Sequence, residues 1–195
     1  MLYLNQLERE DLAYPTDVEN EADEKMHNGT VKMAGCGLCS LCMVVDRLTT
    51  ETLSLLHCRD ISYQVKANHG VGTDMKLLGP EVAERYGLSY ATTDSVQEMI
   101  ACLKNGGCAI VNVGGDREGY QGVFSHGGHF MTVISADADD ELCVLDPSWR
   151  QDKWEEPGRP GKVRMEGKFV YCTPQVLAKD AENRSPSYYL FSRKK

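Results

Sequence analysis

Long hydrophobic runs, an excess of basic residues and internal repeats are all missing from this sequence. No stretch approaches the roughly 18 apolar residues that read as a membrane span. Lys and Arg number 21 against 29 Asp and Glu, for a net charge of −8 with histidine neutral. That balance gives no basic footprint for sequence-independent binding to nucleic acid. The glycine-rich stretch 114–122 contains no Gly-Lys-Ser/Thr, so it is not a phosphate loop. Met1 to Gln6 shows neither the basic start nor the apolar run and small-residue cleavage site of a secretion signal. The expectation is a soluble cytoplasmic protein with reduced thiols, no cofactor and no metal.

What is there is ordinary globular composition, 42% hydrophobic and 26% charged over 195 residues. This length fits one domain, 1–195, able to bury a sizeable core without staples. Eight cysteines are too dilute for a disulfide scaffold. The question is which of them does chemistry.

The order of elements predicts α+β architecture, with N-terminal helices packed on an antiparallel sheet. Residues 1–30 read as an N-terminal arm, its acidic part 8–25 lying irregularly over the surface. Residues 35–49 are apolar nearly all round until Asp46, which predicts a buried helix with Cys36 at its start. A helix over 74–86 is interrupted by Gly79-Pro80, predicting a kink or two short helices. Ser95 and Glu98 fit a capping box for a helix ending near Gly106. Cys108–Val113 is a short strand. Residues 129–136 and 141–146 form two apolar runs joined by an Asp-rich turn, a hairpin. Residues 147–168 form a long loop excursion. A short helix near 174–182 and a strand at 187–192 close the chain.

Three residues on these elements point to chemistry. Cys36 at a helix N-terminus meets free N–H groups and the positive dipole end, which favour the thiolate, and its flanking glycines would let a substrate approach. His129 opens an apolar strand after Gly127-Gly128, where it would serve as a base; His126, in the loop, is a competitor. Asp146 closes the next strand, where a carboxylate needs a partner such as histidine. The order Cys, His, Asp is that of papain-like enzymes.

Ala34-Gly-Cys-Gly-Leu-Cys-Ser-Leu-Cys-Met43, Gly128-His129-Phe130 with its following apolar run, and Leu145-Asp146-Pro147 together resemble the peptidase C39-like family. So does the opening Leu4-Asn5-Gln6, and the resemblance spans about residues 2–192. It implies a papain-like fold and hydrolysis of amide or peptide bonds by a Cys36–His129–Asp146 triad through an acyl-enzyme, with a peptide or amide-containing substrate. The oxyanion hole would combine the Cys36 N–H with a side-chain amide. Bacteriocin-processing members carry a glutamine six residues before the nucleophile, where this chain has Thr30. Gln6 is the candidate replacement and Asn28 the second choice. An NlpC/P60-like amidase, which uses a similar cysteine helix, fits Asp-Pro less well.

Other readings stand beside this one. The chain could be a non-catalytic binding member of the same fold. Cys36, Cys39 and Cys42 also form a Cys-x-x-Cys-x-x-Cys run that invites a zinc or iron–sulfur site, although the sulfurs fan around one helix and a fourth ligand is missing. Loops 113–128 and 147–168 are the expected seats of specificity, the former a mobile flap or a plain surface loop. Trp149 and Trp154 line a groove or anchor their loop.

Overall fold

A computed structural model describes residues 1–16 and 24–194. Its centre is one seven-stranded sheet: β1 (Leu88–Thr93), β2 (Cys108–Val113), β3 (His129–Ala136), β4 (Leu142–Leu145), β5 (Arg164–Glu166), β6 (Phe169–Cys172) and β7 (Tyr188–Arg193). The spatial order is β1-β7-β2-β3-β4-β6-β5, and every neighbouring pair is antiparallel. Among the described residues the helices are α1 (Glu24–His27), α2 (Val31–Ala34), α3 (Cys36–Leu48), α4 (Leu55–Gln64), α5 (Met75–Arg85), α6 (Val96–Lys104) and α7 (Pro174–Ala181). None of them is long and apolar enough to cross a membrane.

The sheet is covered on both faces, so its central strands lack the polar-out alternation of a half-solvated sheet. On β2, Cys108 and Ile110 join the core formed with α3, α4 and α5, while Ala109, Val111 and Val113 join a second core with α6 and α7. β4 divides likewise, Cys143 and Leu145 against Leu142 and Val144. The fold is thus mixed helix and antiparallel sheet as expected, with α6 and α7 added on the far face.

α3 is the deepest helix. Every residue from Gly37 to Val45 is buried, matching its all-round apolar pattern. Its flanking glycines serve packing, not open substrate approach. A Cβ on Gly37 would sit 2.9 Å from Thr73 Cβ, and one on Gly35 would sit 2.4 Å from Val31 Cγ1.

Several local expectations are corrected by tertiary context. α5 is one helix containing Pro80, not two. Asp74 caps it, its side chain accepting from the Lys76 N–H. Glycine before the proline removes the Cβ that would clash with the ring, and the Tyr90 ring packs where that Cβ would stand. α6 has half of a capping box. Ser95 Oγ accepts from the Glu98 N–H at 3.3 Å, but the Ser95 N–H donates to Thr93 Oγ1. The excursion 147–168 contains a 3-10 turn, Gln151–Glu155, and strand β5. The arm is not all surface: Tyr14 is fully buried, its hydroxyl bonded to Ser62 and Thr73. The part of the acidic segment at 17–23 lies outside the described residues.

Loop 114–128 is pinned rather than a flap. Val123 and Phe124 are buried, their N–H groups donate to the buried Asp180 carboxylate at 2.9 and 2.8 Å, and Tyr120 donates to it at 2.6 Å. Trp154 packs edge-on against Phe124, so it anchors this region.

Candidate active site

Cys36 begins α3, so its N–H has no acceptor within the helix and faces the dipole's positive end. His129 is the first residue of β3, and Asp146 follows the last residue of β4. These strands are antiparallel neighbours, so both residues reach the same end of the sheet. α3 packs across β3 and β2 with its N-terminus at that end. Residues about 90 and 110 positions from Cys36 are thereby brought to it.

His129 Nε2 lies 2.8 Å from Asp146 Oδ1. That bond leaves Nδ1 for the thiol side, and His129 and Cys36 are in side-chain hydrogen-bonding contact. Asp146 and His129 are both buried, whereas Cys36 keeps some exposure. Burial opposes ionisation of Cys36. It is outweighed by the hydrogen bond and charge of His129 and by the backbone N–H groups of Phe130 and Gly37, so the thiol is held below its ordinary range. Burial likewise disfavours a charged His129. The hydrogen bonds and charges of Asp146 and Cys36 overcome it and raise the imidazole to about 9. Both shifts run in the direction that favours thiolate beside imidazolium. Cys39, Cys102, Cys108, Cys143 and Cys172 go the opposite way, pushed up chiefly by burial. Cys42 is pushed up first by its hydrogen bond with Cys58.

Asp146 has partners that sequence reasoning did not find. Lys153, also buried, donates from Nζ to Asp146 Oδ2 at 2.5 Å and to Ser148 Oγ at 2.8 Å. Ser148 donates from both its N–H and its hydroxyl to Asp146 Oδ1, and its Oγ is 3.1 Å from His129 Nε2. Burial pushes the Asp146 carboxyl up, but the Lys153 ammonium and then His129 hold it well below the usual carboxylate range. A lone lysine inside a polar loop gives no sequence signal of this role. Two residues of the segment after Asp-Pro do the work.

Gln6 comes to the same cleft from the N-terminal segment. Its N–H donates to Pro147 O at 2.7 Å, and its Nε2 donates to Lys32 O at 2.9 Å, leaving a second amide hydrogen. Tyr3 adds a bond from its hydroxyl to Asp146 O at 2.9 Å. Gln6, Cys36 and His129 all line one cleft of about 340 Å³. Asn28 is exposed and does not line it.

The rest of the cleft departs from expectation. Neither 147–168 nor 113–127 lines it. The walls come from 69–74, Asn112, Gly128 and Arg184. Trp149 and Trp154 are absent from them too. His126 stands apart on the surface, bonded to Asp116 at 2.8 Å and Glu156 at 2.7 Å. Cys39 and Cys42 are fully buried in the core while Cys36 faces the cleft. Among the described residues no group of three His, Cys, Asp or Glu side chains is arranged to hold a metal ion.

No protein-family model matches the chain, and no curated protein sequence matches it. Solved structures do. The architecture is that of the C39-like peptidases, the fold implied by the sequence resemblance. A chain from Bacillus anthracis described as a C39-like peptidase superposes with a TM-score of 0.54 at 11% identity, covering 83% of this chain and 90% of that one. The peptidase domain of Streptococcus ComA, a bi-functional ABC transporter involved in a quorum-sensing pathway, gives 0.49 at 14% identity, covering 82% and 91%. At 11% identity the likeness to the Bacillus anthracis chain shows the fold alone.

Proposed function

We propose that this protein is a cysteine peptidase-like hydrolase of amide or peptide bonds. The observation that carries the reading is the contact of Cys36, at the head of a buried helix, with a histidine whose other nitrogen is bonded to a buried carboxylate. The Cys36 thiolate attacks the carbonyl carbon. The resulting oxyanion is met by the Cys36 N–H and the free amide hydrogen of Gln6. The imidazolium of His129 gives its proton to the leaving amine as the C–N bond breaks, leaving a thioester. His129, now neutral, takes a proton from water, whose oxygen attacks the thioester and releases the acid. Thiolate and imidazolium are restored. Asp146 keeps the imidazole oriented and compensates its charge throughout, as the carboxylate of a hydrolytic triad does. Lys153 and Ser148 hold Asp146.

The test is alkylation with iodoacetamide at mildly acidic pH, read residue by residue by mass spectrometry. Cys36 labels first, because ordinary thiols are protonated there. Amine release from a mixed peptide library requires Cys36 and is lost in Cys36→Ala. Equal labelling of several cysteines, or hydrolysis that survives Cys36→Ala, overturns the reading.

A further inference from the structure

Arg184 lines the cleft beside Cys36 and His129, and its guanidinium makes no hydrogen bond or ion pair among the described residues. A guanidinium carries five donors and is always charged, so it normally finds carboxylates. Here Nε is buried without any hydrogen bond. A buried donor left unpaired costs free energy, and it marks a guanidinium whose hydrogen-bonding capacity the fold does not use.

The carboxylates around it are engaged elsewhere. Asp94 accepts from Ser185 Oγ and the Ser187 N–H, each at 2.8 Å. Glu182 pairs with Arg117 and Lys179. Asp74, the acidic residue of the cleft wall, gives one oxygen to the Lys76 N–H at 2.8 Å and the other to His69 at 3.1 Å. The cleft's acid is therefore satisfied and its arginine is not. Position matters as well. Arg184 lies against the backbone just before His129: a Cβ on Gly128 would come within 2.7 Å of Arg184 Nη2. The glycine leaves room for the guanidinium at the rim of the nucleophile's cleft.

We propose that Arg184 is a substrate-binding residue that recognises a carboxylate, and that the substrates are amides or peptides bearing an acidic group near the scissile bond. This rests on the hydrolase reading and adds a substrate class to it. The bond is a charge-assisted one from a planar fork, stronger than a neutral contact.

The test uses haloacetyl probes that alkylate thiols: iodoacetate, bromoacetylglycine and bromoacetylglycylglycine, each beside its neutral amide. Rates are read at Cys36 by mass spectrometry. At one or more of these lengths the acid outruns its amide by about tenfold, the scale of one charge-assisted bond in a partly open site. The acid-to-amide ratio falls about tenfold in Arg184→Gln and is kept only in part in Arg184→Lys, which retains the charge but not the fork. Melting temperature shows that each variant is folded. A wild-type ratio near one at every length, or a ratio unchanged in Arg184→Gln, overturns the proposal while leaving the nucleophile assignment intact. Cys36 reacting no faster than the other cysteines, with the ratio still dependent on Arg184, overturns the catalytic reading and supports an anion site alone. No reaction at Cys36 with any probe overturns both.

Discussion

Two histidines three residues apart, His126 and His129, each sit within 2.8 Å of a carboxylate, yet they occupy different worlds. His126 is exposed between Asp116 and Glu156, and its pKa is raised first by Asp116 and then by Glu156. His129 is buried between Asp146 and a thiol. Ion pairing is common to both and is therefore not what makes a site. The difference is what the second nitrogen faces. For His126 it is a second carboxylate, which only adds to a solvated ion pair. For His129 it is the Cys36 thiol, in surroundings dry enough that each group governs the other's proton.

The largest expected effect follows directly. His129→Ala should lower kcat/KM by about 10³-fold or more, the range associated with a general acid–base group. His126→Ala should change it less than about threefold, because an exposed pair touches no reacting atom. Steady-state assay of the two variants on one amide substrate checks this, and equal losses would erase the distinction.

Stability gives the next contrast. Lys153→Met leaves the Asp146 carboxylate buried without its ammonium. Breaking a buried pair this way costs about 3–5 kcal/mol, here toward the lower end because His129 and Ser148 remain as donors. Asp116→Asn removes one partner of an exposed histidine and should cost less than about 1 kcal/mol. Urea unfolding at neutral pH measures both.

The smallest effect is on pH dependence. The active ion pair needs a charged His129, so activity should fall as pH rises through about 9, where the imidazolium loses its proton. On the acid side, activity falls where the thiolate is protonated, below the ordinary cysteine range. Removing the Cys36 anion as Cys36→Ser removes one cause of the raised value, so the His129 titration followed by NMR should move down. In the same variant His126 should titrate unchanged.

Much of the candidate site was legible because its residues sit at element boundaries. Gly-Cys-Gly before an apolar helical run, a histidine after two glycines, and an aspartate between an apolar strand and proline each mark a place where regular structure starts or stops. Gln6 was found through resemblance of the opening segment, not through any local pattern. Lys153, Ser148 and Tyr3 were invisible, since their roles arise from contacts made only after folding. The fold was read less evenly. α4 went unpredicted because it buries only Cys58, Ile61 and Ser62 and has a weak apolar stripe. β5 and β6 are three and four residues long, too short for alternation to register inside a glycine- and proline-rich stretch. Of the two loops expected beside the cleft only Gly128 lines it, because sequence shows which segments are irregular but not which end of the sheet they reach. Segment 69–74 is short and inconspicuous, yet it lines the cleft with Cys36.

The place of β7 sets the timetable for this protein's birth. It lies between β1 and β2, and among the described residues β1 pairs with no other strand. As the chain leaves the ribosome, β2 through β6 can pair as they emerge, but β1, packed on α5, has no strand to pair with until residues 188–193 have been made. α3 also rests partly on β7. Such late, distant closure makes assembly slow relative to a chain of local contacts. A nascent chain therefore carries Cys36 without the full support beneath α3 until β7 has been made and has closed the sheet.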